Sequence, residues 1–175
     1  MGSEMCIRDS IKPVRGRMEL AATKENGATV YVDYAHTPDA IEVALKSLKP
    51  HILGKLIVVI GAGGDRDKGK RPLMGTAAEK NSDFVIITDD NPRNEDPSVI
   101  HQMIKNGIQN DNKVKVIADR AEAILTAVDL LEVGDGLLIA GKGHETEQVI
   151  GENNFPFDDF EQASLSVASL DGIEQ

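Results

Sequence analysis

Thr88-Asp89-Asp90-Asn91-Pro92-Arg93 follows the apolar run Phe84-Val85-Ile86-Ile87 and sets two carboxylates, an amide and a guanidinium within six residues. The run ahead of it reads as a buried strand, and in an open α/β sheet ligands sit outside the carboxyl ends of the strands. Asp90 can hold an ammonium group. Arg93 can take a carboxylate bidentately, because its planar fork matches that geometry. A free amino acid carries both charges, so the motif suits one. A purely structural turn explains Asn91-Pro92 and an Asp96 cap on the next helix, but it leaves Asp89, Asp90 and Arg93 without a task.

Three further loops are rich in polar groups. In Asp33-Tyr34-Ala35-His36-Thr37-Pro38 a carboxylate and an imidazole flank a helix N-terminus, a setting that favours phosphate or another anion. The plainer reading is a capped turn with a solvent-facing histidine. Gly61 to Arg71 almost fits two nucleotide motifs. The G-x-x-x-x-G-K spacing from Gly64 ends in Arg71 where Ser or Thr must reach magnesium. The G-x-G from Gly61 meets Arg66 where a third glycine is needed. Both fail at a residue with a mechanical role, leaving a loop whose Arg66, Lys68, Lys70 and Arg71 suit an anionic ligand. In Gly141-Lys142-Gly143-His144-Glu145 the glycines permit close backbone approach, and Glu145 can accept from an amine. A lone His144 among acids is a thin basis for a metal site, and none is expected.

These loops need a scaffold, and the apolar pattern supplies one. Strands are expected at Thr29 to Val32, Leu56 to Ile60, Phe84 to Ile87, Val114 to Ile117 and Leu137 to Ala140. Between them, helices are expected from Thr37-Pro38 with Ile41, Ala44, Leu45 and Leu48 inward, over Pro72 to Lys80, and from Asp96-Pro97 to Ile108. A further helix follows the capping box at Asp119 to Glu122, with Ile124, Leu125, Val128 and Leu131 inward. Glu147 to Phe157 is ambiguous, with Gly151-Glu152-Asn153-Asn154 as a candidate hairpin turn, and a last helix runs from Asp159 to about Leu170. Alternation at this spacing implies an α/β fold, a Rossmann-like open and mostly parallel sheet with helices on both faces. His51 and His101 show no evident partners, and Met74 and Met103 read as core filler.

With 175 residues, 41% hydrophobic and 27% charged, the chain has the make-up of one globular domain. A net charge of −10 argues against nucleic acid or an anionic membrane as partner. The single cysteine, Cys6, excludes an internal disulfide and a Cys-based zinc site. No apolar run approaches a membrane span and no signal peptide appears, so the cytoplasm is the expected location. Met1-Gly2-Ser3 resembles a vector remnant, and residues 1–14 read as a non-native leader.

Taken in order, these loops resemble the C-terminal domain of the Mur ligases, closest to the members that add meso-diaminopimelate. The matching stretches are Gly16-Arg17-Met18-Glu19, Asp33 to Pro38, Gly63 to Pro72, Asp89 to Arg93 and Gly141 to Glu145. The family's reaction is ATP-dependent amide formation in peptidoglycan precursor synthesis, through an acyl phosphate attacked by an amine. The resemblance implies that Arg66, Asp90, Asn91, Pro92, Arg93, Gly141 and Glu145 bind meso-diaminopimelate, and that Arg17, Asp33 and His36 serve ATP. Lysine-adding relatives lack the arginine at the Arg93 position, so Arg93 favours diaminopimelate. The resemblance assigns residues 15–27 to the end of a central domain and its linker, and 28–172 to the amino-acid-binding domain.

A complete family member also carries a UDP-precursor domain and an ATPase domain with a P-loop and magnesium ligands. No such P-loop occurs in this chain. ATP, Mg2+ and the UDP-MurNAc-L-Ala-D-Glu acceptor are therefore expected to engage the absent domains. No catalytic residue and no tightly held cofactor are expected here, and the chain alone is expected to be inactive. A different class, a receiver-like signalling domain using Asp89, Asp90 and Lys142, is the alternative. It is disfavoured because its acidic pair and phospho-acceptor belong on the first and third strands.

Overall fold

A sheet of continuous apolar strands must be covered on both faces, and that requirement explains the architecture. The computed structural model describes residues 14–172. The expected leader, Val14 apart, lies outside the described residues, as does Cys6. Six strands form one sheet: β1 (Glu19–Thr23), β2 (Thr29–Asp33), β3 (Leu56–Ile60), β4 (Phe84–Ile87), β5 (Val114–Val116) and β6 (Gly136–Ala140). Their spatial order is β1-β2-β6-β3-β4-β5, parallel except for β1, which runs antiparallel to β2 along the edge.

Among the described residues five α-helices cover the sheet: α1 (Pro38–Leu48), α2 (Lys70–Asn81), α3 (Pro97–Lys105), α4 (Arg120–Asp129) and α5 (Asp159–Asp171). Strand side chains alternate between the two layers. Val58, Ile60, Val85 and Ile87 pack with Ile41 and Leu45 of α1, Met74 of α2 and Ile104 of α3. Ile57, Val59, Ile86 and Ile139 pack on the other face with Ile124 and Val128 of α4 and Val167 of α5. The chain leaves β3 through α2 on the first face and β6 through α5 on the second. Neighbouring β3 and β6 thus bracket a crevice at their carboxyl ends, where such folds bind ligands.

Helix starts follow side-chain chemistry. Thr37 Oγ1 accepts from the Ala40 amide (3.2 Å), Asp96 from Ser98 (2.9 Å), and Asp119 from Glu122 (2.8 Å). Helix α2 begins at Lys70, two residues earlier than the pattern implies. Pro72 is tolerated because first-turn amides have no intrahelical acceptor. Helix α3 stops at Lys105 rather than Ile108, because Gly107 lies against the Pro72 carbonyl, where a Cβ would collide, while Ile108 stays buried. Leu125, expected inside, is 41% exposed; Ala123 and Ala127 complete the buried stripe instead. The ambiguous segment is a two-stranded hairpin, β7 (Glu147–Ile150) and β8 (Asn153–Pro156), turning at Gly151-Glu152.

Arg120, at the first position of α4, is wholly buried beneath the crevice. Its Nε and one terminal nitrogen donate to both oxygens of buried Asp159 (2.8 and 2.7 Å). The terminal nitrogens also donate to the carbonyls of Ala140 (3.1 Å), the last of β6, and Asp89 (3.2 Å), two residues past β4. Burial opposes the charge, but the Asp159 carboxylate outweighs it and holds the guanidinium pKa above its ordinary value. Removing one member strands the other charge. Arg120→Met alone should cost about 3–5 kcal/mol in urea unfolding, and Arg120→Met with Asp159→Leu should recover most of it. A single-variant loss below about 1 kcal/mol, the size of a surface pair, would contradict this role.

Candidate functional site

The loops after β2, β3, β4 and β6 converge on one cavity of about 340 Å³. Of the residues singled out from sequence, Arg66, Asp90, Asn91, Arg93, Gly141, Glu145 and His36 line it. Pro92 is buried but does not line it; its carbonyl sits against Gly64, where a Cβ would collide. Arg17 and Asp33 stand one loop away.

Arg93 holds a left-handed backbone, φ +51°, which costs a non-glycine residue about 1–3 kcal/mol and persists only when its surroundings impose it. The hairpin imposes it here. The Arg93 amide donates to the Val149 carbonyl (3.1 Å), and the Gly151 amide donates to the Arg93 carbonyl (2.8 Å). Its Nη1 donates to the carbonyl of Gly64 (2.9 Å). Neither Nε nor Nη2 forms a hydrogen bond among the described residues, which leaves an edge of the fork for a carboxylate. Exposed Arg66 likewise forms no hydrogen bond among the described residues.

Asn91 is 7% exposed and uses its whole amide. Its oxygen accepts from Lys142 Nζ and the Val149 amide (both 2.9 Å), and its nitrogen donates to Glu145 (3.1 Å). Asp90 is 8% exposed, and its Oδ1 has no hydrogen-bond donor. Oδ1 is itself buried and faces Lys142 Nζ at 3.5 Å, so Oδ2, which accepts no hydrogen bond among the described residues, is the oxygen left for a ligand ammonium. Gly141 lies at φ +120°, and a Cβ there would reach 3.4 Å from Asp90 Oδ2, so glycine keeps that wall open.

Three residues have tasks other than those read from sequence. Asp89 faces His101 Nε2 at 2.6 Å, so His101 has a partner and Asp89 turns away from the cavity. Arg71 does not belong to the exposed cationic loop. It is 1% exposed and pairs with Glu95 through two bonds (2.8 and 3.0 Å) while donating to the Gly63 carbonyl (3.0 Å). Sequence reasoning misses Glu95, and it gives Lys142 a role only in the signalling alternative. The signal for Lys142 was present: a charged residue directly after a fully buried strand, between two glycines.

On the neighbouring rim, both Asp33 oxygens are occupied by backbone amides, of Met18 (2.7 Å) and Ala35 (2.8 Å). Asp33 therefore pins the Gly16–Met18 turn against β2. The Arg17 guanidinium lies 4.9 Å from the Tyr34 ring centre, and exposed His36 sits 4.6 Å from the same ring. This cationic rim beside the N-terminus of α1 fits phosphate oxygens. Among the described residues no group of three or more His, Cys, Asp or Glu is arranged to hold a metal ion. No helix among them is long and apolar enough to cross a membrane.

The family described as "Mur ligase, glutamate ligase domain" matches residues 16–143, and the chain belongs to it. The UDP-N-acetylmuramoyl-L-alanyl-D-glutamate--2,6-diaminopimelate ligase of Agrobacterium fabrum is 50% identical over 157 residues, 90% of this chain and 32% of that protein. The ligase of the same name from Synechococcus elongatus is 53% identical over 155 residues, 89% of this chain and 31% of its own length. A solved structure of a ligase of that name superposes with a TM-score of 0.84 at 42% identity, covering 91% of this chain and 33% of that one. The chain thus spans about a third of the length of these relatives and corresponds to their C-terminal domain. Family membership replaces the signalling alternative, and the geometry agrees: Asp89 is tied to His101, and Lys142 is buried.

The Arg71 bond holds the Glu95 carboxyl at about 2, below its ordinary 4.5. A carboxyl with a lower pKa folded than unfolded stabilises the fold fully above the higher value and loses that effect as pH falls. The melting-temperature advantage of the native chain over Glu95→Gln should therefore hold steady down to about pH 4.5 and shrink toward pH 2. An undiminished gap at the acid end would contradict the pairing.

Proposed function

We propose that this chain is the amino-acid-recognition domain of a cytoplasmic ATP-dependent ligase that joins meso-diaminopimelate to UDP-MurNAc-L-Ala-D-Glu. The observation that carries the reading is Arg93, held at φ +51° with an open fork edge on the cavity that Asp90 and Glu145 share. Two arginines and two carboxylates match an amino acid with an ammonium and a carboxylate at its far end. In this reading Arg93 and Arg66 take the far carboxylate, while Asp90, through Oδ2, and Glu145 take the far ammonium.

Held by one end, the ligand presents its other amine away from the cavity floor. The rest of the ligase would hold ATP and Mg2+, which would supply the γ-phosphoryl group to the precursor carboxylate and release ADP. The presented amine attacks the carbon of that phosphorylated carboxylate; the C–N bond forms, the C–O bond to phosphate breaks, and the amine gives up a proton. This chain's part is orientation, which turns a bimolecular attack into an effectively intramolecular one. Arg17 and His36 fit the outer phosphate oxygens of ATP, with Asp33 pinning their loop. The described residues do not fit Mg2+: Arg71 replaces the hydroxyl residue of a P-loop and is itself locked to Glu95.

Hydrogen bonds to charged groups are worth about 1.5–3 kcal/mol, so Arg93→Ala in the full-length ligase should raise the KM for meso-diaminopimelate roughly 10- to 100-fold. The KM for ATP should stay unchanged. Steady-state kinetics with each substrate varied in turn checks this, and an unaltered KM for the amino acid would refute the role of Arg93.

A further inference from the structure

Lys142 is the one residue of its loop with no side-chain exposure, and burying an ammonium is costly unless its charge is answered. Two of its three protons go to the Asn91 side-chain oxygen (2.9 Å) and the Glu147 carbonyl (2.8 Å). That leaves one for Asp90 Oδ1 and Glu145 Oε2, at 3.5 and 3.6 Å. A turn after a strand has no need of such a group, since a methionine would fill the same space.

We infer that Lys142 is the positioning residue of the diamino-acid pocket, fixing the Asn91 amide and charge-balancing Asp90 and Glu145 so that they accept one ligand ammonium. The inference rests on the reading of the pocket given above.

Lys142 Nζ and the Val149 amide can only donate, so the oxygen of Asn91 must face them. Its NH2 is thereby aimed at Glu145 (3.1 Å), which holds that carboxylate at the cavity wall. Without the ammonium, the Asn91 oxygen keeps only the Val149 amide as donor and is held by one bond fewer.

Asp90, Glu145 and Lys142 together carry one net negative charge, and the Arg120–Asp159 pair behind them is neutral. One further cation balances these three groups, while Arg66 and Arg93, which also line the cavity, are left to answer the ligand carboxylate. With Lys142 neutralised, Asp90 and Glu145 lose the cation that lies 3.5 and 3.6 Å from them and holds both at the cavity wall. The pocket then offers a ligand ammonium a worse site while the rest of the domain stays intact. Lys142 also joins three loops, since Glu147 begins the hairpin that holds Arg93 in its left-handed conformation.

The test compares Lys142→Met, Lys142→Gln and Arg93→Ala in the full-length ligase, measuring KM for meso-diaminopimelate, KM for ATP and melting temperature. The expected result is a rise of roughly 5- to 100-fold in the KM for the amino acid in both Lys142 variants, with the KM for ATP within about twofold. An unchanged amino-acid KM in a folded Lys142 variant, alongside a raised one in Arg93→Ala, would overturn the inference and leave the pocket reading standing. If Arg93→Ala is also unchanged, the pocket reading itself fails and the inference with it. Equal rises in both KM values, or failure of both Lys142 variants to fold, would assign Lys142 to loop stability and equally overturn it.

Discussion

Everything at the carboxyl edge of the sheet depends on how two buried cations are answered. Arg120 reaches from the start of α4 to the last carbonyl of β6 and to a carbonyl two residues past β4, with Asp159 of α5 closing its fork. Those carbonyls belong to Asp89 and Ala140, the residues immediately before Asp90 and Gly141. The guanidinium therefore fixes where two ligand-facing loops leave the sheet. Lys142 does the same one layer outward, joining Asn91, the hairpin and the two pocket carboxylates. Each cation is expensive to bury, and each persists because several acceptors converge on it.

Close backbone contact does the remaining positioning. Gly64 stacks on the Pro92 carbonyl, and the Gly64 amide donates to the Asn91 carbonyl (2.8 Å), so the loops after β3 and β4 are held against each other. Gly16 meets the backbone of Gly143 and His144, which binds the Arg17 turn to the loop after β6. The pocket and the phosphate-fitting rim are thus joined through β6. A ligand end held at Glu145 and a phosphate held near Arg17 would be presented at a fixed separation.

Strands β3, β4 and β6 were legible as short apolar runs closed by turn residues, a pattern set by burial on both faces, and β2 and β5 by their β-branched residues at the expected spacing. Strand β1 was not anticipated: Glu19–Thr23 is an edge strand, part-exposed and bulged between Leu20 and Ala22, so it carries no such run. The pocket was legible because strand-end loops collect ligand groups, and four such loops stood out by their polar residues. Partners distant in sequence were not. Arg71 read as a solvated loop cation because Glu95 lies 24 residues on, and His101 read as unpaired because Asp89 meets it only through packing of α3. Leu125 was misplaced because the small Ala123 and Ala127 give a weaker apolar signal than a leucine, although they are what lets α4 lie close to the sheet.

The central claim is that this pocket reads the far carboxylate of a diamino acid. The most direct measurement is the ratio of kcat/KM for meso-diaminopimelate to that for L-lysine in the full-length ligase, the two differing by that carboxylate alone. A site built to pair a polar group rejects the analogue that lacks it, so the ratio should be at least about 100. A ratio near one would contradict the account.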